Sequence, residues 1–261
     1  MPRLIYLPPA HVTSSSPTGI NFNNLILDGA YAAGQLPDVT QLTMVVWTTR
    51  PSNKPEMPLG MGVSSVSGAT IQAEVVSAAG VNQSNGSDQG IGQFLGVSNV
   101  GEYPLETTWR SFLLNVDFAA APGNRVRFWH NDTEYTKSTD SKQGTHFDAS
   151  TYTVIAIGSS VTGTLRPTFN WFGDIAEIWV SLGNLIDFTI EANRRFFVTA
   201  GGRAVALPND GEVNTILPHF YFSVRQGDPL TGFLTNRGSV ALTGGALTVT
   251  TGSMSPSGTN P

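Results

Sequence analysis

No cysteine occurs anywhere in the 261-residue sequence. The chain therefore has no disulfide framework, no thiolate ligand for zinc and no cysteine nucleophile. The same absence agrees with folding in a reducing cytoplasm.

Positive charge is also scarce. Lys and Arg number 14 against 19 Asp and Glu, so the net charge is −5, and the basic residues are scattered. A phosphate backbone is normally bound by clustered Lys and Arg, and the densest pair here, Arg194–Arg195, lies in a segment with helical character. We predict that the protein does not bind nucleic acid.

Long apolar runs are missing as well. The opening stretch MPRLIYLPPAHV has four apolar residues after its single Arg before two prolines interrupt the run. A signal peptide needs a longer apolar centre, and a transmembrane helix needs about 20 apolar residues. We expect neither a cleaved signal peptide nor insertion into a membrane.

Glycine, proline and β-branched residues are plentiful, which is typical of many short strands joined by turns in one large all-β domain. Several segments have the alternation or the β-branched and apolar content of strands. These segments are 25–27, 42–51, 69–79, 108–118, 124–132, 151–160, 168–179, 219–224 and 246–252.

One segment predicts a helix, DFTIEANRRFFVTAGG at residues 187–202. Thr189 can cap the first turn, and Glu191 lies where the helix dipole favours negative charge. Gly201–Gly202 can end the helix. We predict one short helix near residues 189–199.

The order of the strand motifs is more specific than any one of them. In this order they resemble laminin-G-like domains of the concanavalin A-like lectin and glucanase superfamily. The motifs are TMVVWTTR, TWRSFLLNVDF followed by NRVRFWHND, VIAIGSS and FNWFGDIAEIWV. The resemblance implies a two-sheet antiparallel jelly-roll sandwich. It divides the chain into an N-terminal lead-in (1–20), a jelly-roll domain (21–252) and a polar C-terminal tail (253–261).

The C-terminal third has a narrower resemblance. IDFTIEANRRFFVTAGGRAVAL and the later FLTNRGSVALTGGALTVT resemble the ending of laminin-G-like proteins encoded by bacteriophages and prophages. This implies a component of a virion head, tail or baseplate. Its partners would be other virion proteins and further copies of itself, and its location would be the virion.

Two carboxylates three positions apart, Asp174 and Glu177, raise the question of catalysis. Glucanases of the superfamily carry their acids at alternate positions of one strand. Residues i and i+2 point the same way, and retaining cleavage needs carboxyl groups about 5 to 5.5 Å apart. On a regular strand Asp174 and Glu177 face opposite sides of the sheet. We therefore predict no catalytic residues; Ile175 and Trp179 fill a core, and Glu177 meets an Arg or backbone amides.

Metal and histidine chemistry receive little support. None of the four histidines has a recognisable catalytic or metal-binding spacing. No cofactor is expected, although calcium is bound at a loop edge in many relatives and needs about six oxygens. Asp132 and Asp88 lie in oxygen-rich loops and are the candidate ligands. The alternative for Asp132 is a simple Asx turn.

Glycan binding normally combines an exposed aromatic platform with amide or carboxylate side chains. The candidates are Trp129, Asn131 and Tyr135, near the hairpin turn of the resemblance. The alternative for each aromatic ring is packing between the sheets or against the helix.

Three functions follow in order of preference. The first is a non-enzymatic bacteriophage virion protein, a surface decoration or attachment module that can bind host glycans. The second is a free-standing carbohydrate-binding lectin. The third is a glycoside hydrolase, which the strand argument disfavours.

Overall fold

Among the described residues, almost all of the regular secondary structure is β-strand. The computed structural model describes residues 17–22, 25–50, 59–62, 78–79, 95–96, 106–121, 124, 126–130, 132–134, 149–159 and 173–261. The strands are β1 (Ile20–Asn21), β2 (Ile26–Ala30), β3 (Gln41–Arg50), β4 (Leu59–Gly62), β5 (Ala78–Ala79), β6 (Leu95–Gly96), β7 (Glu106–Asp117), β8 (Val126–His130), β9 (Thr133–Glu134), β10 (Val154–Ile157), β11 (Asp174–Leu182), β12 (Phe220–Ser223), β13 (Thr248–Thr251) and β14 (Ser255–Pro256).

Two antiparallel sheets form the body of the protein. The large sheet has the order β14-β1-β11-β3-β7-β8-β9, with β12 also paired to β11, and the small sheet has the order β13-β2-β10-β4. Side chains from both sheets share one core, for example Leu27 and Ile155 from the small sheet with Val46 and Ile178 from the large one. The predicted fold class, an all-β two-sheet antiparallel jelly-roll sandwich, is confirmed.

The large sheet is apolar on both faces. In β3, Met44 and Val46 lie in the core between the sheets, whereas Val45 and Trp47 lie in a second core on the outer face. This follows from the alternation of side chains along a strand. The second core is covered by residues 184–216, here called the cap. Its buried apolar side chains are Ile186, Phe188, Phe197, Val198, Ala204, Leu207 and Val213.

The predicted helix shrinks to a single turn of the cap, α1 (Glu191–Arg194). Thr189 does not cap it, because Ile190 holds the cap position without a side-chain bond, and the Thr189 N–H donates to Asp187 Oδ1 at 2.9 Å. After α1 the chain turns inward to bury Phe197. Within the described ranges, no helix has the length and apolar character needed to span a bilayer.

Gly201–Gly202 do not end the helix. They lie in a tight reversal in which the Thr199 N–H donates to the Arg203 carbonyl at 2.9 Å. Gly202 has a φ of 74°, a left-handed conformation that glycine adopts without steric cost. The reversal brings Val198 and Ala204 together in an isolated β-bridge, so both can reach the second core.

The C-terminal residues predicted as a polar tail carry strand β14. β14 pairs with β1, and β1 pairs with the start of β11 through Ile20↔Ile175 and Asn21↔Asp174. The two ends of the described chain are therefore neighbours at one edge of the large sheet.

Two glycines with almost the same backbone conformation provide a test of the packing. Gly158 (φ 78°) ends β10, and a Cβ there would lie 2.6 Å from Phe22 Cδ1 and 2.7 Å from the Leu25 carbonyl oxygen. Gly34 (φ 79°) has nothing within 4 Å of the same position. Gly34→Ala should lower the free energy of unfolding by about 1–2 kcal/mol, the cost of the left-handed conformation alone. Gly158→Ala should cost about 2–5 kcal/mol because overpacking is added.

The measurement is urea-induced unfolding of the two variants beside the wild type. Equal losses in both variants would contradict the close packing at Gly158.

Candidate functional site

The cap is joined to the large sheet by buried polar side chains at one end of the second core. Thr43 Oγ1 donates to the Asn184 carbonyl at 3.0 Å and accepts the Ile186 N–H at 3.0 Å. Asn115 Oδ1 accepts the Phe188 N–H at 3.2 Å. These contacts satisfy backbone groups that enter an apolar region, where an unpaired N–H or C=O would be costly.

A second set of polar contacts joins the cap to the sheet further along. Trp179 Nε1 donates to the Gly211 carbonyl at 2.7 Å. The Arg225 guanidinium, from a residue only 8% exposed, donates through Nη2 to the carbonyls of Leu207 and Pro208. The cap is therefore held from beneath by an indole and a guanidinium that rise from the sheet.

Glu177 lies beneath this second set of contacts and is 1% exposed. Its Oε2 accepts from Ser223 Oγ at 3.4 Å and from the Tyr221 hydroxyl at 3.5 Å. The Tyr221 hydroxyl also receives Arg225 Nη2 at 3.5 Å, so it lies between the acid and the guanidinium. Burial raises the pKa of Glu177 to about 7, against the opposing positive charge of Arg225. These four residues, Glu177, Tyr221, Ser223 and Arg225, are called the buried acid cluster.

Strand β11 is irregular where the sequence argument required it to be regular. The register against β3 shifts between Ile175 and Glu177, which inserts one extra residue, Ala176. Ile175 packs in the core between the sheets, whereas Ala176 and Trp179 pack in the second core. The expectation that Asp174 and Glu177 face opposite sides is therefore wrong, because a bulge shifts the alternation by one residue. The packing roles expected for Ile175 and Trp179 are confirmed, one in each core.

Although the two acids project from the same face, they have different surroundings. Asp174 Oδ1 accepts from Asn21 Nδ2 at 3.1 Å, and Asp174 Oδ2 accepts from Ser257 Oγ at 2.7 Å. Asp174 is partly exposed at the start of β11, whereas Glu177 is sealed under the cap. The two carboxyl groups do not share a groove that is open to a substrate.

Four residues at the edge of the large sheet contact the C-terminal residues 255–260: Gly19, Asn21, Trp109 and Asp174. We call the surface that they form the tail groove. A Cβ on Gly19 would lie 2.3 Å from the Trp109 ring and 2.8 Å from Ser257 Cβ, so only glycine lets these parts approach so closely.

The C-terminal residues fill the tail groove. Trp109 Nε1 donates to Thr259 Oγ1 at 3.0 Å, and the Gly19 N–H donates to Asn260 Oδ1 at 3.1 Å. The Ser257 N–H donates to the Gly19 carbonyl at 2.8 Å. No short-range sequence signal marks this groove, because its walls and its occupant come from four distant parts of the chain.

The glycan candidates from the sequence do not form an exposed platform within the described residues. Trp129 is 2% exposed and packs edge-on against Phe188 of the cap with ring centroids 5.7 Å apart. Trp129 is therefore corrected from a platform to a core residue, because the cap covers the face from which it projects. Asn131 and Tyr135 lie outside the described residues.

The calcium candidate Asp132 has protein partners. Asp132 Oδ1 accepts from Arg194 Nε at 3.0 Å and from Arg195 Nη1 at 2.8 Å. Hydrogen bonds from these guanidinium groups hold the pKa of Asp132 below its ordinary value. In the part of the chain that the structure describes, no group of three or more Asp, Glu or His side chains could hold a metal ion. Asp88, the other candidate, lies outside the described residues.

No protein-family model matches the chain, and no curated protein matches it. Among solved structures, a heptameric SAP-like pentraxin from Limulus polyphemus matches with a TM-score of 0.48 and 10% identity over 90% of this chain and 94% of that one. A Bacteroides ovatus protein described as carbohydrate-binding matches with a TM-score of 0.45 and 12% identity over 93% of this chain and 60% of that one. NanB sialidase from Streptococcus pneumoniae matches with a TM-score of 0.42 and 12% identity over 66% and 27%.

These similarities are too distant to assign an activity. The sheet order and the core shared by the two sheets define the fold.

The buried acid cluster predicts a pH dependence of stability. The pKa of Glu177 is about 7 in the folded protein against an ordinary 4.5, so between these values the folded state keeps a proton that the unfolded state has released. The contribution of Glu177 to the free energy of unfolding should therefore be fully present below about pH 4.5 and should fall by about 3 kcal/mol as the pH rises through 7. Glu177→Gln should remove this contribution.

The measurement is the free energy of unfolding in urea from about pH 5 to about pH 8 for the wild type and the variant. Burial lowers the pKa of His219, which acts with the opposite sign but is present in both proteins. Glu191→Gln, at an acid that is 67% exposed, is the control and should follow the wild type. Parallel curves for the wild type and Glu177→Gln would refute the assignment.

Proposed function

We propose that the protein is a non-enzymatic structural module of a bacteriophage virion, a surface decoration or attachment module that binds glycans of the host surface. The closed outer face of the large sheet is the observation that carries the non-enzymatic part. The cap leaves Glu177 1% exposed. An acid so placed cannot protonate or attack a glycosidic bond of a bound polysaccharide, because a general acid must reach its substrate within hydrogen-bonding distance.

The virion part is supported by where the narrower sequence resemblance falls. The segment IDFTIEANRRFFVTAGGRAVAL spans residues 186–207 and forms most of the cap. Its side chains Phe188 and Phe197 pack on Trp129 and Trp179 of the large sheet. The resemblance to phage proteins therefore falls on the cap, the segment that covers the outer face of the large sheet. Other virion proteins and further copies of this chain are the proposed partners.

The glycan part is supported by the tail groove. It combines an aromatic ring from Trp109, a carboxylate from Asp174 and an amide from Asn21 near the protein surface. These residue types stack on sugar rings and bond to hydroxyl groups. The same groove favours the second candidate function, a free-standing lectin, which differs only in acting outside a virus particle.

Particle composition separates these two functions. Peptide mass measurement of purified virions from the phage or prophage that encodes the chain should detect it in a fixed ratio to the capsid protein. A nuclease-treated, gradient-purified lysate of cells that express the chain without the other phage genes is the control, and it should contain no chain at virion density. Absence of the chain from intact particles would exclude the virion role and leave the lectin.

A combined binding and turnover assay tests the non-enzymatic part. The purified protein should bind at least one structure on a glycan array and should leave β-glucans and sialosides uncleaved. Glu177→Gln should bind the same glycan equally well, because Glu177 does not reach the surface. Sugar release by the wild type that is lost in Glu177→Gln would show that the cap opens onto a catalytic site.

A further inference from the structure

We propose that the tail groove is a saccharide-binding site and that the C-terminal residues of the same chain occupy it as a built-in competitor. The inference rests on the proposed glycan-binding function and names the site that performs it. The residues that bind saccharide are Trp109, Asp174 and Gly19, and the competitor consists of Ser257, Thr259 and Asn260.

The walls of the tail groove carry both hydrogen-bond donors and acceptors. Trp109 Nε1 and the Gly19 N–H are hydrogen-bond donors, and the Asp174 carboxylate and the Gly19 carbonyl are acceptors. A sugar hydroxyl can donate one hydrogen bond and accept others, so neighbouring hydroxyls satisfy such an alternating set of partners. Asp174 Oδ1 is already held by Asn21 Nδ2, which leaves Oδ2 directed at the ligand.

The bound tail presents hydroxyl groups to the groove walls. Ser257 Oγ donates to Asp174 Oδ2 at 2.7 Å, and Thr259 Oγ1 accepts from Trp109 Nε1 at 3.0 Å. One aliphatic hydroxyl thus acts as a donor to a carboxylate and the next as an acceptor from an indole. Two hydroxyls of one saccharide could make the same two contacts.

The tail is attached mainly by contacts that lie near the protein surface. β14 has only two residues, and most side chains from residue 255 onward are exposed. Met254 packs against the core between the sheets and anchors the base of the tail. Beyond Met254 the tail is held by the two-residue pairing of β14 with β1 and by hydrogen bonds to the groove, and exposed segments held in this way open locally at low cost.

In the closed form the tail occupies the groove, and in the open form the groove is free. The apparent affinity for saccharide is weakened by the ratio of the closed to the open form. Each hydrogen bond that holds the tail shifts this ratio by about fivefold. Removing the two tail hydroxyls removes two such bonds, so it should lower the saccharide concentration needed for half-saturation by between about fivefold and about 25-fold. The groove walls are unchanged by these substitutions.

The experiment uses the full-length chain with Ser257→Ala and Thr259→Ala together. The control is Ser253→Ala, an exposed residue of the same tail that makes none of these groove contacts. The probes are the methyl glycosides of glucose, galactose, N-acetylglucosamine and N-acetylneuraminic acid. The readout is the ¹⁵N-resolved indole N–H resonance of Trp109, assigned through Trp109→Phe. Dispersed methyl resonances verify that each variant is folded.

The double variant should shift the Trp109 resonance at about one-fifth or less of the saccharide concentration that the wild type and the control require. Adding Asp174→Asn to the double variant should abolish the shift. Trp109→Phe, which keeps a ring but removes the N–H, should weaken binding on the glycan array and provides a second test if Asp174→Asn does not fold.

Equal saccharide dependence in the wild type and the double variant would overturn the competitor role. Glycan binding that leaves the Trp109 resonance unmoved and survives Asp174→Asn would place the site elsewhere and overturn the inference, while the proposed glycan-binding function would stand. Failure of every variant to bind any probe or array glycan would overturn both.

Discussion

The rest of the structure depends on one constraint, the apolar character of both faces of the large sheet. β3 directs Val46 into the core between the sheets and Trp47 away from it, and β11 does the same with Ile178 and Trp179. A sheet with two apolar faces must be covered on both. The small sheet covers the inner face, and the cap covers the outer one. The molecule therefore has three layers where a sandwich with one solvated face would have two.

Covering the outer face with an irregular segment brings backbone polar groups into an apolar region. Thr43 and Asn115 satisfy them at one end, and Trp179 and Arg225 at the other. Buried polar networks of this kind contribute little net stability but are costly when mismatched, so they favour one placement of the cap over others. Glu177 belongs to this network, and its raised pKa reflects burial in a structural site.

Eight of the nine predicted strand segments coincide with strands, because alternation and β-branched content are local signals; the ninth, 69–79, lies outside the described residues except for 78–79. Short strands such as β1, β4 and β14 are not predicted. The sequence also indicates that both faces of the large sheet are buried. In MVVW and IAEIW, apolar residues occupy both odd and even positions, and these positions point to opposite faces of a strand. The bulge at Ala176 has no such sign, because it depends on pairing with β3. The helix is shorter than its local pattern predicts, because Phe197 is drawn into the second core. The tail groove is not predictable from local patterns, since Gly19, Trp109, Asp174 and Ser257 are far apart in sequence.

The two acids of β11 show that strand geometry alone does not decide between catalysis and binding. The bulge places Asp174 and Glu177 on one face of the sheet, as a catalytic pair would require. The cap nevertheless covers Glu177 and leaves Asp174 partly exposed. What covers each carboxylate therefore determines its chemistry. Glu177 contributes to the attachment of the cap, whereas Asp174 Oδ2 lies near the surface and, among the described residues, accepts a hydrogen bond from the hydroxyl of Ser257. Because Asp174 is partly exposed and Glu177 is 1% exposed, Asp174 is the acid of this strand that we propose for binding an external hydroxyl ligand.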